Sequence, residues 1–173
     1  IQIDARTKAS RKIFQRETNR KTPFFSSKVS GFQVVGTRAF VSFGSTNLIQ
    51  VFDIAKGLAG PWRGFGWDVA YKQFEDQKPV LVKEIALPSP GRLRKYGVGK
   101  LVTTSGKDLV TLDLATCAVE PLVSGRLRNP LGLGVDAQGN LFVGEGEPLH
   151  QVFGYAPDGR VIATLGKPGR RET

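Results

Sequence analysis

Short runs of apolar residues alternate with turn residues along most of this chain. Toward the C-terminus four such runs follow one another, at Leu131–Val135, Leu141–Val143, Leu149–Tyr155 and Val161–Leu165. Residues 136–140 and 157–160 connect two pairs of these runs and combine glycine with aspartate, a composition typical of tight hairpin turns. Apolar runs of this length bounded by turn residues predict β-strands. We therefore predict a four-stranded antiparallel meander at this end of the chain.

The same unit recurs earlier in the chain. Its third strand aligns in four places, at Ile1–Asp4, Leu48–Asp53, Leu109–Asp113 and Leu149–Gly154, which puts Ile3, Phe52, Leu112 and Phe153 in one column. The separation between Leu112 and Phe153 falls within the range of about 40–50 residues that is known for propeller repeats. The separation before them is larger, because an insertion at residues 55–79 interrupts the turn between a third and a fourth strand. Repeated four-stranded meanders predict a β-propeller, in which each meander is one blade.

The predicted fold class is therefore all-β, a propeller segment of about three and a half four-stranded blades in residues 1–173. A half blade occupies residues 1–15, and blades occupy residues 31–87, 92–123 and 131–166. Propellers have about 4–8 blades, and a partial ring leaves strand edges unpaired. We expect the segment to belong to a larger six- or seven-bladed propeller, or a partner chain or self-association to close the ring.

The N-terminal residues have an alternative interpretation. Ala5, Ala9 and Ile13 are spaced by four, and basic residues surround them. This spacing is also that of one face of a helix, so a basic helix over residues 5–21 remains an alternative to the half blade.

Residues 130–169 resemble an NHL repeat. The resemblance is carried by Pro130-x-Gly-x-x-Val-Asp-x-x-Gly-Asn-Leu-x-Val143, then by Val152-Phe153, and then by Pro157-Asp-Gly-Arg160. The pattern is similar to that of bacterial NHL-type propellers and, more distantly, of gluconolactonase-like and strictosidine-synthase-like propellers. The resemblance implies a propeller fold. Some animal NHL domains bind single-stranded RNA, so it also allows a polyanion partner.

The basic residues are concentrated in particular loops. The chain carries 25 Lys and Arg against 15 Asp and Glu, a formal net charge of +10 that suits an anionic partner. In a propeller, the loops between blades share a face with the loops between second and third strands, and these loops hold most of the excess. The predicted ligand-binding face comprises Arg92, Arg94, Lys95, Arg126, Arg128, Lys167 and Arg170. Guanidinium groups suit phosphate or carboxylate; a basic rim that only keeps the protein soluble is the alternative.

No motif in the sequence predicts catalysis. The chain has neither a Gly-x-Ser-x-Gly elbow nor a Gly-x4-Gly-Lys-Ser/Thr phosphate loop. His150 is the only histidine, and we expect a packed or surface residue of a third strand. Cys117 is the only cysteine, which excludes an internal disulfide, and its apolar run predicts a buried, unreactive thiol.

A divalent metal is the one cofactor that the resemblance leaves open. Asp136, Glu145 and Glu147 are the candidate ligands, since carboxylates bind hard cations, and the gluconolactonase-like family holds a central metal. The Asn-Gly that this family has at the start of the inner strand is Leu131-Gly132 here, which disfavours the site. We expect solvated loop carboxylates and no cofactor.

The insertion contains several aromatic residues, among them Trp62, Phe65 and Trp67. Aromatic residues among glycines form either a partner-binding patch or the small core by which a long loop packs on the propeller. We favour packing, and we keep the patch as a second interpretation.

These patterns together favour a non-enzymatic binding scaffold for a protein or for a polyanion such as RNA. The alternatives are a metal-dependent hydrolase or lactonase of the gluconolactonase-like type, and a structural segment of a larger secreted or envelope protein. No apolar run reaches the ~20 residues of a membrane helix, so we expect a soluble protein. No sequence feature predicts the compartment; the resemblance is compatible with a bacterial, extracytoplasmic parent protein.

Overall fold

Antiparallel β-sheets form almost all of the regular structure. The computed structural model describes residues 2–3, 10–11, 29–55 and 80–169. In these ranges the strands form three four-stranded sheets and one two-stranded ladder, and the only helical element is a 3-10 turn at Gly44–Thr46. The predicted all-β propeller class is confirmed. No helix within the described ranges is long and apolar enough to cross a membrane.

Each four-stranded sheet is made of consecutive strands, so each is one meander and one blade. The first blade consists of β3 (Val29–Val35), β4 (Arg38–Phe43), β5 (Leu48–Asp53) and β6 (Val80–Ala86). The second blade consists of β7 (Arg94–Tyr96), β8 (Lys100–Ser105), β9 (Asp108–Asp113) and β10 (Val119–Val123). The third blade consists of β11 (Pro130–Val135), β12 (Leu141–Glu145), β13 (Val152–Tyr155) and β14 (Val161–Leu165).

The two-stranded ladder precedes the first blade. It pairs β1 (Gln2–Ile3) with β2 (Ser10–Arg11) in antiparallel fashion. The alternative of a helix over residues 5–21 is therefore wrong at Ser10–Arg11, and the rest of that range lies outside the described residues. Most of the insertion at 55–79 lies outside them as well.

Hydrophobic side chains fill the two seams between neighbouring blades. The first seam, between the first and second blades, has a core that includes Phe40, Ile49, Leu101 and Leu112. The second seam, between the second and third blades, has a core that includes Val102, Leu109, Leu141 and Val143. Successive residues of β8 point to opposite faces of the sheet, so the second blade is buried on both sides. Cys117 is buried and joins the core of the first seam, as expected.

One strand of the third blade begins later than predicted. The prediction started this strand at Leu149, whereas β13 starts at Val152. The backbone amides of Leu149 and His150 both donate to the carbonyl of Gly146, at 3.0 Å, and thereby form a turn. His150 has a φ of 49° and an exposed side chain, so the prediction that it belongs to a third strand is wrong.

Because β13 starts late, the third blade contributes a different residue to the predicted column of third-strand residues. Ala39, Leu101 and Leu141 hold equivalent places in the second strands. Their partners across the ladder are Phe52, Leu112 and Tyr155. Tyr155 therefore takes the place that was predicted for Phe153, which stands two residues before it in the chain. Because side chains alternate with a period of two, the shift keeps the same face, and Tyr155 is only 2% exposed.

The alternation of strand direction sorts the turns onto two opposite faces. We call the top face the one that carries the β4–β5, β8–β9 and β12–β13 turns and the blade-to-blade loops at residues 87–93 and 124–129. The bottom face carries the turns between first and second strands and between third and fourth strands. These two faces differ in charge, and that difference locates the candidate site.

Candidate functional site

The β10–β11 loop, residues 124–129, presents two exposed arginines on the top face. Arg126 and Arg128 are both exposed, and Leu127 between them is 1% exposed and packs into the second seam. Two hydrogen bonds tie the loop to the β8–β9 turn: the Gly125 amide donates to Asp108 Oδ1 at 2.6 Å, and the Leu127 amide donates to the Lys107 carbonyl at 3.0 Å. The loop therefore holds both arginines on a fixed backbone.

Glu145 provides the third anchor of this loop. Glu145 is 5% exposed, and its carboxylate accepts hydrogen bonds from the Arg128 amide, at 3.1 Å, and from the Asn129 amide, at 2.6 Å. A buried carboxylate needs such donors to offset the loss of water. The prediction of a solvated loop carboxylate is therefore wrong for Glu145, because its oxygens are occupied by backbone amides.

The three candidate metal ligands do not come together. Asp136 lies in the β11–β12 turn on the bottom face, Glu145 lies at the opposite end of β12, and Glu147 is exposed in the top turn that follows. Asp136 accepts hydrogen bonds from the amides of Gln138 and Asn140 and from Asn140 Nδ2. Within the described ranges, no three His, Cys, Asp or Glu side chains are grouped so that they could hold a metal ion.

Arg92 and Arg94 lie at the inner edge of the second seam. Arg92 Nε donates to the Leu131 carbonyl at 3.3 Å, and Arg94 Nε donates to the Leu133 carbonyl at 3.2 Å. Both acceptors belong to β11, the innermost strand of the third blade. These arginines therefore connect two blades, in addition to contributing charge. Arg94 is half-buried, and Arg92 is exposed.

The remaining predicted residues are dispersed or undescribed. Lys95 is exposed in β7, and Lys167 is exposed on the top face after β14. Arg170 and the aromatic residues Trp62, Phe65 and Trp67 lie outside the described residues. The structure thus places Arg126, Arg128 and Lys167 on the top face with Lys107. That this face binds a ligand stays a prediction.

The top and bottom faces carry opposite charge. The described turns and loops of the top face hold five basic residues, Arg92, Lys107, Arg126, Arg128 and Lys167, against the single exposed carboxylate of Glu147. The bottom face has Asp53, Asp113, Asp136 and Asp158 at its turns, and each accepts a hydrogen bond from a backbone amide of its own turn. Both described ion pairs, Lys100–Glu120 and Arg160–Asp158, also lie toward the bottom. The positive charge of the top face is thus without an ion-paired carboxylate in the described part of the chain.

Hydrogen bonds to two bottom-face aspartates lower their pKa values. For Asp113 the main cause is the Thr116 amide, followed by the Thr116 hydroxyl, and together they hold the pKa below its usual value. For Asp136 the main cause is the side-chain amide of Asn140. These carboxylates are therefore ionised and tied to their own turns, which suits turn formation better than ligand binding.

A cavity of about 200 Å³ opens at the inner edge of the blades, toward the top face. Its walls are formed by Ser30, Gly91, Arg92, Thr104 and the segment 130–133. Sequence reasoning missed Thr104, because a threonine inside a predicted strand carries no signal by itself. Its alignment with Ser42 in the equivalent strand of the first blade would have marked it as a seam residue.

Comparison with solved structures shows the same fold in several proteins at low sequence identity. A nidogen/laminin complex contains a chain with 18% identity and a TM-score of 0.55, with 82% of this chain and 51% of that chain covered. Virginiamycin B lyase from Staphylococcus aureus has 12% identity, a TM-score of 0.52 and coverages of 79% and 40%. A Bacteroides caccae protein of unknown function has 14% identity, a TM-score of 0.52 and coverages of 74% and 45%.

These likenesses establish a β-propeller-like fold and nothing more specific. The chain spans about half of the length of these neighbours, or less. One neighbour is a lyase and another belongs to a nidogen/laminin complex, so they do not share one activity. No protein-family model matches the chain, and no curated protein matches it.

Proposed function

We propose that this chain is a non-enzymatic β-propeller scaffold of the NHL-like type whose top face binds a polyanionic partner. The observation that carries the proposal is the set of exposed cations on the top face, with no ion-paired carboxylate among the described residues. Apart from Arg92, whose Nε donates to the Leu131 carbonyl, they are Lys107, Arg126, Arg128 and Lys167. A face of one charge sign raises the local concentration of an oppositely charged partner and steers its approach.

The hydrogen bonds of the neighbouring carboxylates support this function. Asp108 and Glu145 accept hydrogen bonds from the backbone amides of the β10–β11 loop. They position the loop that carries Arg126 and Arg128 and do not form ion pairs with the two guanidinium groups. Guanidinium groups that keep their donors available match the oxygens of phosphate or carboxylate groups.

Titration with labelled single-stranded RNA over a range of salt concentrations tests the proposal. The test variant is Arg126→Ser with Arg128→Ser, and the matched control is Lys100→Ser with Arg160→Ser, which removes the same charge from the bottom face. Each phosphate contact to a single strand contributes about 0.7 to the slope of log affinity against log salt, so the test variant should lose about 1.4 from that slope. The control should keep the wild-type slope. Equal weak binding by the wild type and the test variant would exclude this face as a polyanion site.

The outer sheet face of the third blade supports a second candidate, a structural segment of a larger propeller. Phe142 in β12 is the equivalent of Val102 in β8; Val102 is fully buried in the second seam, whereas Phe142 is half-buried. Leu165, on the same face, is 56% exposed. Because equivalent positions are buried where a next blade follows, we propose that a further blade covers this face. The chain's coverage of about half of its propeller neighbours agrees with this.

Light scattering of the chain alone tests the second candidate. We expect concentration-dependent association, since an exposed apolar sheet face is an association hazard. Phe142→Glu with Leu165→Glu should reduce it, whereas Lys100→Ser with Arg160→Ser should leave it unchanged. A soluble monomer at high concentration would contradict the candidate. A longer stretch of the reading frame that yields a monomer would identify the covering blade as part of the same protein rather than a second copy.

A further inference from the structure

The two seams contain equivalent hydroxyl groups with different surroundings. Ser42 in β4 pairs with Ile49, and Thr104 in β8 pairs with Leu109, at the same place in the two ladders. The Ser42 hydroxyl crosses the first seam and donates to the Gly91 carbonyl at 2.6 Å. The repeat therefore predicts that the Thr104 hydroxyl crosses the second seam and donates to the residue equivalent to Gly91.

That equivalent residue is Leu131. Gly91 follows Pro90, whose partner is Ser105, and Leu131 follows Pro130, whose partner is Glu145. The Leu131 carbonyl accepts its hydrogen bond from Arg92 Nε instead, at 3.3 Å. The Thr104 side chain has no hydrogen-bond partner among the described residues, although Thr104 is only 5% exposed. A buried hydroxyl of this kind is unfavourable unless a polar atom reaches it.

The cavity at the inner edge of the second seam adjoins this hydroxyl. Thr104 lines it, and a Cβ at position 91 would overlap the Thr104 hydroxyl, so the glycine keeps room for it. Arg92 lines the same cavity, and its terminal guanidinium nitrogens have no hydrogen bond within the described ranges. The residues of the cavity wall include no carboxylate. Arg92 and Thr104 thus line a cavity in whose wall the described part of the chain places no negative side chain.

We propose that this cavity binds a single small oxyanion group, a carboxylate or a phosphate, between the Arg92 guanidinium and the Thr104 hydroxyl. The guanidinium supplies the charge and paired donors, and the hydroxyl supplies a further donor from within the seam. The cavity volume of about 200 Å³ is several times the roughly 30 Å³ that one water occupies in the liquid, which leaves room for such a group. This site is separate from the exposed arginines of the β10–β11 loop and does not depend on RNA binding.

An NMR titration of the full chain at constant ionic strength tests the site, with sodium acetate and inorganic phosphate as the two probes. Amides of the cavity wall, such as those of Gly91 and Gly132, should shift with saturation in the millimolar range. Thr104→Val removes the hydroxyl at nearly constant shape and should weaken binding about tenfold, because a hydrogen bond to a charged group contributes at least that much. Arg92→Gln keeps an amide donor for the Leu131 carbonyl but loses the charge, and should abolish saturable binding.

Thr111→Val is the matched control. Thr111 is a buried threonine of the second blade that pairs with Val102 and does not line the cavity. This variant should bind both probes as the wild type does. Thermal unfolding gives a second readout, since a ligand that binds the folded state raises the melting temperature. The rise caused by phosphate or acetate should be equal in the wild type and Thr111→Val, and smaller in Thr104→Val.

Each outcome decides a part of the proposal. Saturation by acetate alone assigns the site to carboxylates, and saturation by phosphate alone assigns it to phosphates. Shifts that never saturate, or equal affinity of the wild type and Thr104→Val, would overturn the proposal and leave water as the partner of the hydroxyl. Because Arg126 and Arg128 do not line the cavity, their serine variants should keep the small-anion affinity even if RNA binding is lost.

Discussion

The two seams between blades have equivalent apolar cores but different polar connections. In the first seam, the short Ser42 hydroxyl joins the blades near the top, and the long side chains of Arg38 and Lys83 reach the Leu114 and Thr116 carbonyls at the bottom. In the second seam, Arg92 and Arg94 join the blades at the inner edge, and the Tyr96 hydroxyl lies 3.4 Å from the Pro157 carbonyl at the bottom.

This difference shows that the repeated blades share their apolar packing and differ in the hydrogen bonds between them. Burial of apolar surface is non-directional, so different hydrophobic residues can fill equivalent positions. A hydrogen bond across a seam depends on side-chain length and direction. When Arg92 takes the acceptor that the repeat would give to Thr104, the packing persists but a polar cavity remains. The second seam is therefore the one suited to bind a ligand.

The largest effect should come from truncating the equivalent core leucines of the two seams. Leu101 and Leu141 are both fully buried, one in each core. Leu101→Ala and Leu141→Ala should each lower the free energy of unfolding by about 3 kcal/mol, because a lost buried side chain also leaves a cavity. Urea denaturation measures both. A much smaller loss for Leu141→Ala would show that the second seam is packed less well than the first.

An intermediate effect should follow from removing the inner-edge residues that distinguish the seams. Arg94 and Gln33 hold equivalent places in β7 and β3. Arg94→Ala should cost about 1–2 kcal/mol, because it leaves the Leu133 carbonyl without this donor across the seam. Gln33 bonds to the Val34 carbonyl of its own strand, so Gln33→Ala should cost about 0.5 kcal/mol or less. Similar losses for the two variants would contradict the role of Arg94 as a connection between blades.

The smallest effect should be on the stability of the fold in acid, and it arises from Asp136, which lies outside both seams. The pKa of Asp136 is lowered, mainly by the Asn140 side chain, so its hydrogen-bonded carboxylate stabilises the fold above the ordinary pKa of 3.8. This stabilisation should be lost as the pH falls below about that value and through the lower folded-state pKa. Asp136→Asn removes the titration, so the variant's urea midpoint should change less between neutral pH and acid than that of the wild type. An unchanged acid dependence would assign the effect to Asp113 or other carboxylates.

The sequence predicted the strands well because their signals are local. Alternation and turn chemistry predicted β14 at Val161–Leu165 with the observed bounds, and they predicted β11 and β12 with differences of one or two residues. The third strand of that blade was missed by three residues, because Leu149 has the apolar character of a strand residue while a hydrogen-bonded turn holds it. The apolar character of Leu149 alone does not distinguish these two environments.

The candidate site was predictable only in part. The topology rule assigned Arg126, Arg128 and Lys167 to one face from sequence order alone. It also assigned Arg92 and Arg94 to that face as binding residues, without any sign that they connect the second and third blades. Glu145 was expected in solvent, since only the folded chain brings the Arg128 and Asn129 amides to its carboxylate.

The sequence by itself determined the all-β class, the meander of each blade and the excess of basic residues in the loops between blades. Periodicity, turn composition and charge are properties of short segments, so no other part of the chain is needed to interpret them. Only the tertiary structure decided that Arg92 occupies the acceptor that the repeat offers to Thr104. The Leu131 carbonyl and its two competing donors belong to different blades, and only the packing of the blades against each other determines which donor reaches it.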